Sequence, residues 1–266
     1  MSVATSFRAP SKVARRLRLT PRAIGSMKSW AGFMYHYALG LVPERPYRFR
    51  SGARLQIGRG VDHVPIVEIF LDKDYGDVRD DTVIVDLGAS IGTFAVYAAT
   101  SAHNVRVFAY EPMPAFYQLL RLNVSLNGLE HAVQPFNLAV AADRSDRELV
   151  VGSPGLLFPT LMMRAEDASV STPVHCVDLA TIVAGNGLSR VDLLKMDIEG
   201  AEYDVLEGTP IELFRHIREI RMEYHVLDDI RHNVTGLKAM LTARGYRITR
   251  ERAQTPTNGT IWASQA

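Results

Sequence analysis

The residues of this chain that could do chemistry stand at the ends of apolar runs. "VIVD" stops at Asp86, "VFAYE" stops at Glu111 25 residues later, "LLKMDIE" carries Lys195, Asp197 and Glu199, and "IRMEYH" ends on Glu223 and His225. A carboxylate in such a place is desolvated, so it must hold a cation, accept hydrogen bonds or move a proton. His225 is the natural general base because its unperturbed pKa lies near neutrality, and Glu223 projects from the same strand face. Asp197 is the rival base if burial raises its pKa. The alternative for His225 is a strand-end histidine satisfied by backbone groups. Lys195, Asp197 and Glu199 alternate and so share one face, which makes them the expected wall of a reaction pocket, with Lys195 orienting a carboxylate or an acceptor oxygen. Glu202 fits the first turn of the next helix, where a carboxylate complements the dipole.

The turn after Asp86 narrows the ligand. In "DLGASIG", Gly88 and Gly92 bracket Ala89 and Ser90, a glycine turn that lets a ligand approach the backbone. Glu111, at the end of the next strand, is placed to accept hydrogen bonds from two ribose hydroxyls. The dinucleotide pattern G-x-G-x-x-G needs glycines at 88, 90 and 93, but Ser90 and Thr93 occupy two of these places. An acid at the turn disfavours a pyrophosphate and suits a cation. S-adenosylmethionine, with its sulfonium, its ammonium and its ribose, matches an acid at each end. Asn137, ending a third strand, joins the expected cofactor set.

These residues need elements to position them. From residue 53 the chain alternates strand-like and helix-like segments: "TVIVDLG" then "TFAVYAATSA", "VRVFAYEP" then a helix opened by Pro114 and closed by Asn127 and Gly128, "AVQPFNLAVA", "VDLLKMD" then "AEYDVLEG", "IREIRMEYH" then "GLKAMLTARGY", and two closing strands. Residues 152–173, rich in Gly, Ser, Thr and Pro, read as an insertion with a hairpin. Continuous apolar strands between amphipathic helices predict an α/β fold, a mostly parallel sheet covered on both faces. In such sheets ligands bind beyond the carboxyl ends of the strands, where the singled-out residues fall. "VPIVEIFLDKDY" is a helix candidate. Asp62, Glu68 and Tyr75 could fold over that edge, although an ordinary amphipathic helix accounts for Glu68 and Tyr75 more simply.

Composition sets the bounds. At 47% hydrophobic residues the 266-residue chain supports a sizeable core. The lone Cys176 excludes an internal disulfide and reads as a small core residue. No apolar stretch has the length of a signal-peptide core or a membrane span, so the expectation is a cytoplasmic protein. The net charge of +1 hides an asymmetry: residues 1–54 carry eleven basic residues and one acid, Glu44, hence 11 − 1 = +10, and the rest −9. Residues 1–54 are therefore expected to form a basic arm, either solvated or serving as a lipid-binding, nucleic-acid-binding or transit-peptide segment. With the apolar, helix-like "SWAGFMYHYALGLV" it is expected to dock at the inner membrane surface or cover the active site, and residues 55–266 are the catalytic domain. No metal is expected, because no paired-histidine spacing occurs. No nucleic-acid partner is expected either.

"VIVDLGASIGTFAVYAA", "VFAYEP", "NLAV", "VDLLKMDIEGAEYDVLEG" and "IRMEYH" together resemble the FkbM-type family of S-adenosylmethionine-dependent methyltransferases, from about Asp62 to the C-terminus. The resemblance implies a Rossmann-like seven-stranded methyltransferase fold with an antiparallel last strand. It further implies O-methylation of a hydroxyl, on a sugar of a glycolipid, surface polysaccharide or glycosylated natural product, or on a polyketide. Carried over by motif, Asp86, Gly88, Ser90, Gly92 and Glu111 would bind the cofactor; Ser90 stands where the family often has Asn. Two other classes stay open at this point. One is a nicotinamide-dependent oxidoreductase, against which the missing glycines argue. The other is a non-catalytic member of the fold that binds membrane or nucleic acid.

Overall fold

The computed structural model describes residues 12–59, 61–151, 170–227 and 231–266. Two helices open it, α1 (Lys12–Ser26) and α2 (Trp30–Leu39), followed by a short antiparallel pair, β1 (Tyr47–Arg48) and β2 (Arg54–Leu55). A three-residue α3 (Val64–Ile66) runs into a π-helical turn at Val67–Leu71. The main body follows in alternation: β3 (Val83–Leu87), α4 (Thr93–Ser101), β4 (Arg106–Tyr110), α5 (Pro114–Leu126) and β5 (Val133–Phe136). Next come β6 (Ala139–Val140), β7 (Arg147–Val151), β8 (Val170–Val174), β9 (Cys176–Val177) and α6 (Leu179–Gly185). The chain finishes with β10 (Leu193–Met196), α7 (Glu202–Gly208), β11 (Glu219–His225), α8 (Val234–Ala243), β12 (Tyr246–Ala253) and β13 (Asn258–Gln265).

Seven strands form one sheet in the order β12-β13-β11-β10-β3-β4-β5. β13 runs antiparallel to both its neighbours, while β11, β10, β3, β4 and β5 are mutually parallel. The fold is the Rossmann-like α/β arrangement with an antiparallel last strand. Chain order reverses between β3 and β10, and that gap at the carboxyl edge is where an open α/β sheet receives its ligand.

The strands are apolar on both sides because helices cover both faces. Ile84, Val107, Ala109 and Leu193 enter one core with Phe94 and Leu120, and Val85, Leu87, Leu194 and Met222 enter the other with Tyr203, Leu206 and Leu241. The expected third strand is broken: β5 joins the main sheet, but after Asn137 the chain leaves it and β6 pairs with β9. β7 and β8 pair as the stem expected around the insertion, whose residues 152–169 lie outside the described residues.

The N-terminal segment departs from the expectation of a separate arm. Leu19 and Ala23 of α1 and Met27 just after it recur every four residues and form one buried stripe, and Phe33, Tyr47 and Phe49 are buried with them in the core that holds Ile84 and Phe94. Arg18 and Arg22, beside this stripe, are exposed and both pair with Asp72. Among the described residues no helix is long and apolar enough to cross a membrane.

Candidate active site

At the carboxyl edge of β3, β4, β10 and β11 lies a cavity of about 260 Å³, covered by α3 and the segment after it. One end is built by the glycine turn. Gly88 has φ 75°, and a Cβ there would come within 1.8 Å of the Asp197 carbonyl oxygen, so only glycine lets the end of β3 lie against the end of β10. Gly92, at φ 83°, has the same constraint from Leu120 of α5 and does not line the cavity. Ser90 has φ 51°. Asn tolerates this left-handed backbone better than most residues with side chains, so Ser90 holds a conformation that Asn would adopt more readily.

Ser90 N–H donates to Glu111 Oε2 and Met113 N–H donates to Glu111 Oε1, each at 2.8 Å. The Glu111 carboxyl is thus fixed in orientation at the cavity wall. Burial pushes its pKa up to about 7, with the two backbone N–H groups pulling against that rise. Asn137 does not line the cavity; its side-chain N–H groups donate to the carbonyls of Glu111 (2.9 Å) and Pro112 (2.8 Å), so it braces the loop that carries Glu111.

Across the switch point, Asp86 of β3 stands in register with Lys195 of β10. Asp86 is wholly buried and also outside the cavity lining, with its Oδ1 3.1 Å from Lys195 Nζ and its Oδ2 lacking a hydrogen-bond partner among the described residues. Burial raises the Asp86 pKa against the pull of Lys195. Lys195 itself is 3% exposed, donates to the Gly88 carbonyl at 2.8 Å, lies 3.9 Å from Asp197 Oδ2 and sits 5.4 Å from the centre of the Tyr75 ring. Burial opposes its charge, yet Asp86 and Asp197 leave its pKa raised overall. Lys195, which also lines the cavity, thus orients carboxylates, one of its two expected roles, and ties β3, the glycine turn and β10 together.

The other end of the cavity is acidic. Asp197, Glu199, Glu223 and Glu68 line it with Tyr75, His225 and Asn258. Tyr75 O–H donates to Asp197 Oδ2 at 3.1 Å, and Asn258 donates to Glu223 Oε1 at 3.1 Å. Burial, then the negative charges of Asp197 and Glu68, push Glu223 up to about 9, and burial with Asp197 pushes Glu199 up to about 7. Glu199 adopts φ 52°, a backbone turn that brings its side chain back to His225. His225 lies between two acids, its Nδ1 3.0 Å from Glu202 Oε1 and its Nε2 3.4 Å from Glu199 Oε2. Burial disfavours the charged ring, but these carboxylates prevail and raise its pKa to about 10. The two flanking acids thus favour the imidazolium form at neutral pH.

Two features were not legible in the sequence, the role of Glu202 and the strapping of the segment that carries Tyr75, and for Glu68 and Tyr75 the pocket alternative holds over the simpler helix. Glu202, read as a dipole-complementing residue, is buried, accepts from the Gly200 N–H at 3.2 Å and partners His225. Glu68 and Tyr75 line the cavity, and the segment that carries Tyr75 is strapped down from β11, β12 and β13. Arg221 donates to the Tyr75 and Asp77 carbonyls, Trp262 Nε1–H donates to the Asp74 carbonyl at 3.0 Å, and Arg252 pairs with Asp74 at 2.6 Å. Asp62 does not line the cavity; its carboxylate accepts from the backbone N–H of Val64 at 3.3 Å. Cys176 is buried with Ala139 and Leu149, as expected. No cluster with metal-ligating character occurs among the described residues.

The methyltransferase FkbM domain matches residues 86–248, more than half of the chain. The chain belongs to this family. It is 28% identical over 217 residues to methyltransferase sdnD of Sordaria araneosa, covering 70% of this chain and 83% of that protein. It is 25% identical over 215 residues to the 31-O-demethyl-FK506 methyltransferase FkbM of Streptomyces tacrolimicus, covering 70% and 82%. The hexuronic acid methyltransferase AglP of Haloferax volcanii is 26% identical over 132 residues, covering 50% and 52%.

The methyl donor of the family is S-adenosylmethionine, and the cavity fits it. The Glu111 carboxyl accepts one backbone N–H on each oxygen and keeps further lone pairs for two hydroxyls. Phe116 and Leu138 supply an apolar wall beside it for a flat base, and the acids beyond suit a sulfonium cation. The nicotinamide alternative is thereby set aside.

Proposed function

We propose that this enzyme transfers a methyl group to a hydroxyl oxygen of an uncharged sugar, in a glycolipid, a surface polysaccharide or a glycosylated natural product. The observation that carries this reading is the acidic wall of the cavity, Asp197, Glu199, Glu223 and Glu68, opposite the glycine turn. Carboxyl groups exchange hydrogen bonds with several sugar hydroxyls at once, and those that are ionised repel an anionic acceptor. The printed name of the Streptomyces relative also speaks for transfer to oxygen.

When bound, S-adenosylmethionine would supply an electrophilic methyl group, with the sulfur of S-adenosylhomocysteine as the leaving group. The chain's own tasks are to align the two reactants and to take the hydroxyl proton. Gly88, Ala89 and Ser90 would leave room for the cofactor against the backbone, and Glu111 would hold its ribose. Asp197 takes the proton, because it lines the cavity and its carboxylate is oriented by Tyr75 O–H, while His225 is already protonated. Glu223, protonated at neutral pH, is free to donate to an acceptor oxygen. His225, fixed by Glu199 and Glu202, sets the position of the loop after β10.

The test is transfer of labelled methyl from S-adenosylmethionine to a panel of neutral glycosides, uronic acids and polyketide alcohols. Alkali-stable methyl ethers on a neutral glycoside are expected. Preferred labelling of a uronic acid would overturn the charge argument, and labelling of a polyketide alcohol but no glycoside would overturn the sugar assignment.

A further inference from the structure

Far from this chemistry in type, the N-terminal segment carries a ladder of cations. Met27 bridges Phe49 in antiparallel fashion, with Lys28 N–H donating to the Arg48 carbonyl at 2.8 Å and Arg50 N–H to the Ser26 carbonyl at 2.8 Å. This register sets Lys28 opposite Arg48. On the other side of the same strand Arg48 stands opposite Arg54. Side chains alternate across a strand, so with Met27, Phe49 and Leu55 turned inward, Lys28, Arg48 and Arg54 form one row on the outer face, and Arg50 lies two residues along from Arg48. All four are exposed, and none has a carboxylate partner among the described residues.

Like charges directly opposite each other on paired strands destabilise the pairing unless an anion relieves them. Apolar side chains flank the row. Trp30, 36% exposed, follows Ser29, whose hydroxyl accepts from the Arg48 N–H at 2.9 Å. Ile24, 42% exposed, offers its carbonyl to Arg50 Nε at 2.9 Å. Tyr35 and Leu39, one turn apart on α2, extend the exposed apolar surface. None of these residues lines the cavity.

We infer that this face docks on an anionic phospholipid surface. The row of four cations meets the headgroups, and Trp30 and Ile24 enter the interface. The apolar flank favours lipid over nucleic acid, since a tryptophan beside a basic row is suited to a boundary that is wet on one side and apolar on the other. Docking through a folded face holds the enzyme in a fixed orientation, unlike a flexible tether.

Co-sedimentation with vesicles tests this directly and needs no acceptor substrate. The full chain should sediment with vesicles of equimolar phosphatidylcholine and phosphatidylglycerol but not with phosphatidylcholine alone, and salt should release it. Each of Lys28→Gln, Arg48→Gln, Arg50→Gln and Arg54→Gln should weaken partitioning roughly five-fold. The charge-conserving Arg48→Lys and Arg54→Lys variants should bind like the parent, which separates loss of charge from loss of fold. A blue shift of tryptophan fluorescence on vesicle binding should vanish in Trp30→Phe. Failure to bind anionic vesicles, equal binding to neutral ones, or tight retention of a single-stranded RNA in their place would overturn the inference.

Discussion

The two ends of the cavity handle charge in opposite ways. At the β3–β4 end each charged group has a fixed partner: Asp86 faces Lys195, and Glu111 is held by two backbone N–H groups. At the β10–β11 end four acids, Asp197, Glu199, Glu223 and Glu68, crowd around one histidine, and two of them have pKa values raised to about 7 and about 9. The first end is preorganised to bind a ligand of constant shape. The second crowds like charges together, which adds to burial in raising Glu199 and Glu223, whereas at the first end burial lifts Glu111 to about 7 against two fixed N–H donors.

Three changes would break or sharpen this contrast. The largest effect is expected from Asp197→Asn, which removes the proton acceptor while keeping the Tyr75 contact. Its kcat should fall by roughly 10²–10⁴-fold with little change in binding of S-adenosylhomocysteine, as read by steady-state kinetics and calorimetry. A comparable fall in His225→Gln alone, with Asp197→Asn near normal, would move the base to the histidine. Next comes Glu111→Ala at the binding end. Calorimetric titration should show S-adenosylhomocysteine affinity weakened by about 1–3 kcal/mol, the cost of hydrogen bonds lost to a charged group, and unchanged affinity would remove Glu111 from the ribose.

The smallest effect concerns stability and pH. Glu223 keeps its proton up to about pH 9 in the folded chain against 4.5 for a free carboxyl, and Glu199 up to about 7, so the folded state binds more protons than the unfolded state across that window. The contribution of His225, raised from 6.5 to about 10, is present in full below 6.5 and is lost as pH rises through 10. All three act in one direction, and the melting temperature should fall as pH rises from 4.5 to about 9. Glu223→Gln cannot ionise, so it should flatten that slope; an unaltered slope would place the titrating groups elsewhere.

Much of the binding end is legible in local sequence. Asp86, Gly88 and Ser90 fall within one turn, and the periodic apolar runs on either side identify the strand and helix that frame it. The acidic end is less legible, because its members come from β10, β11 and the segment before β3, and nothing local announces that Tyr75 reaches Asp197, 122 residues away. Glu202 illustrates the limit. A helix-start glutamate has an ordinary explanation, and only the pairing of β10 with β11 reveals that it faces His225. For the N-terminal segment the +10 charge drew the reading toward an arm, while the four-residue spacing of Leu19, Ala23 and Met27, present in the same stretch, marked a helix with a buried side.

The sequence by itself determined the alternation of strands and helices, the glycine turn, and the family signature, because each depends on residues close together in the chain. Tertiary structure decided which charges are neutralised and which remain reactive. Lys195 became a buried tie and His225 a clamped cation because burial and cross-strand partners shift a proton's affinity, and those partners meet only when the sheet closes.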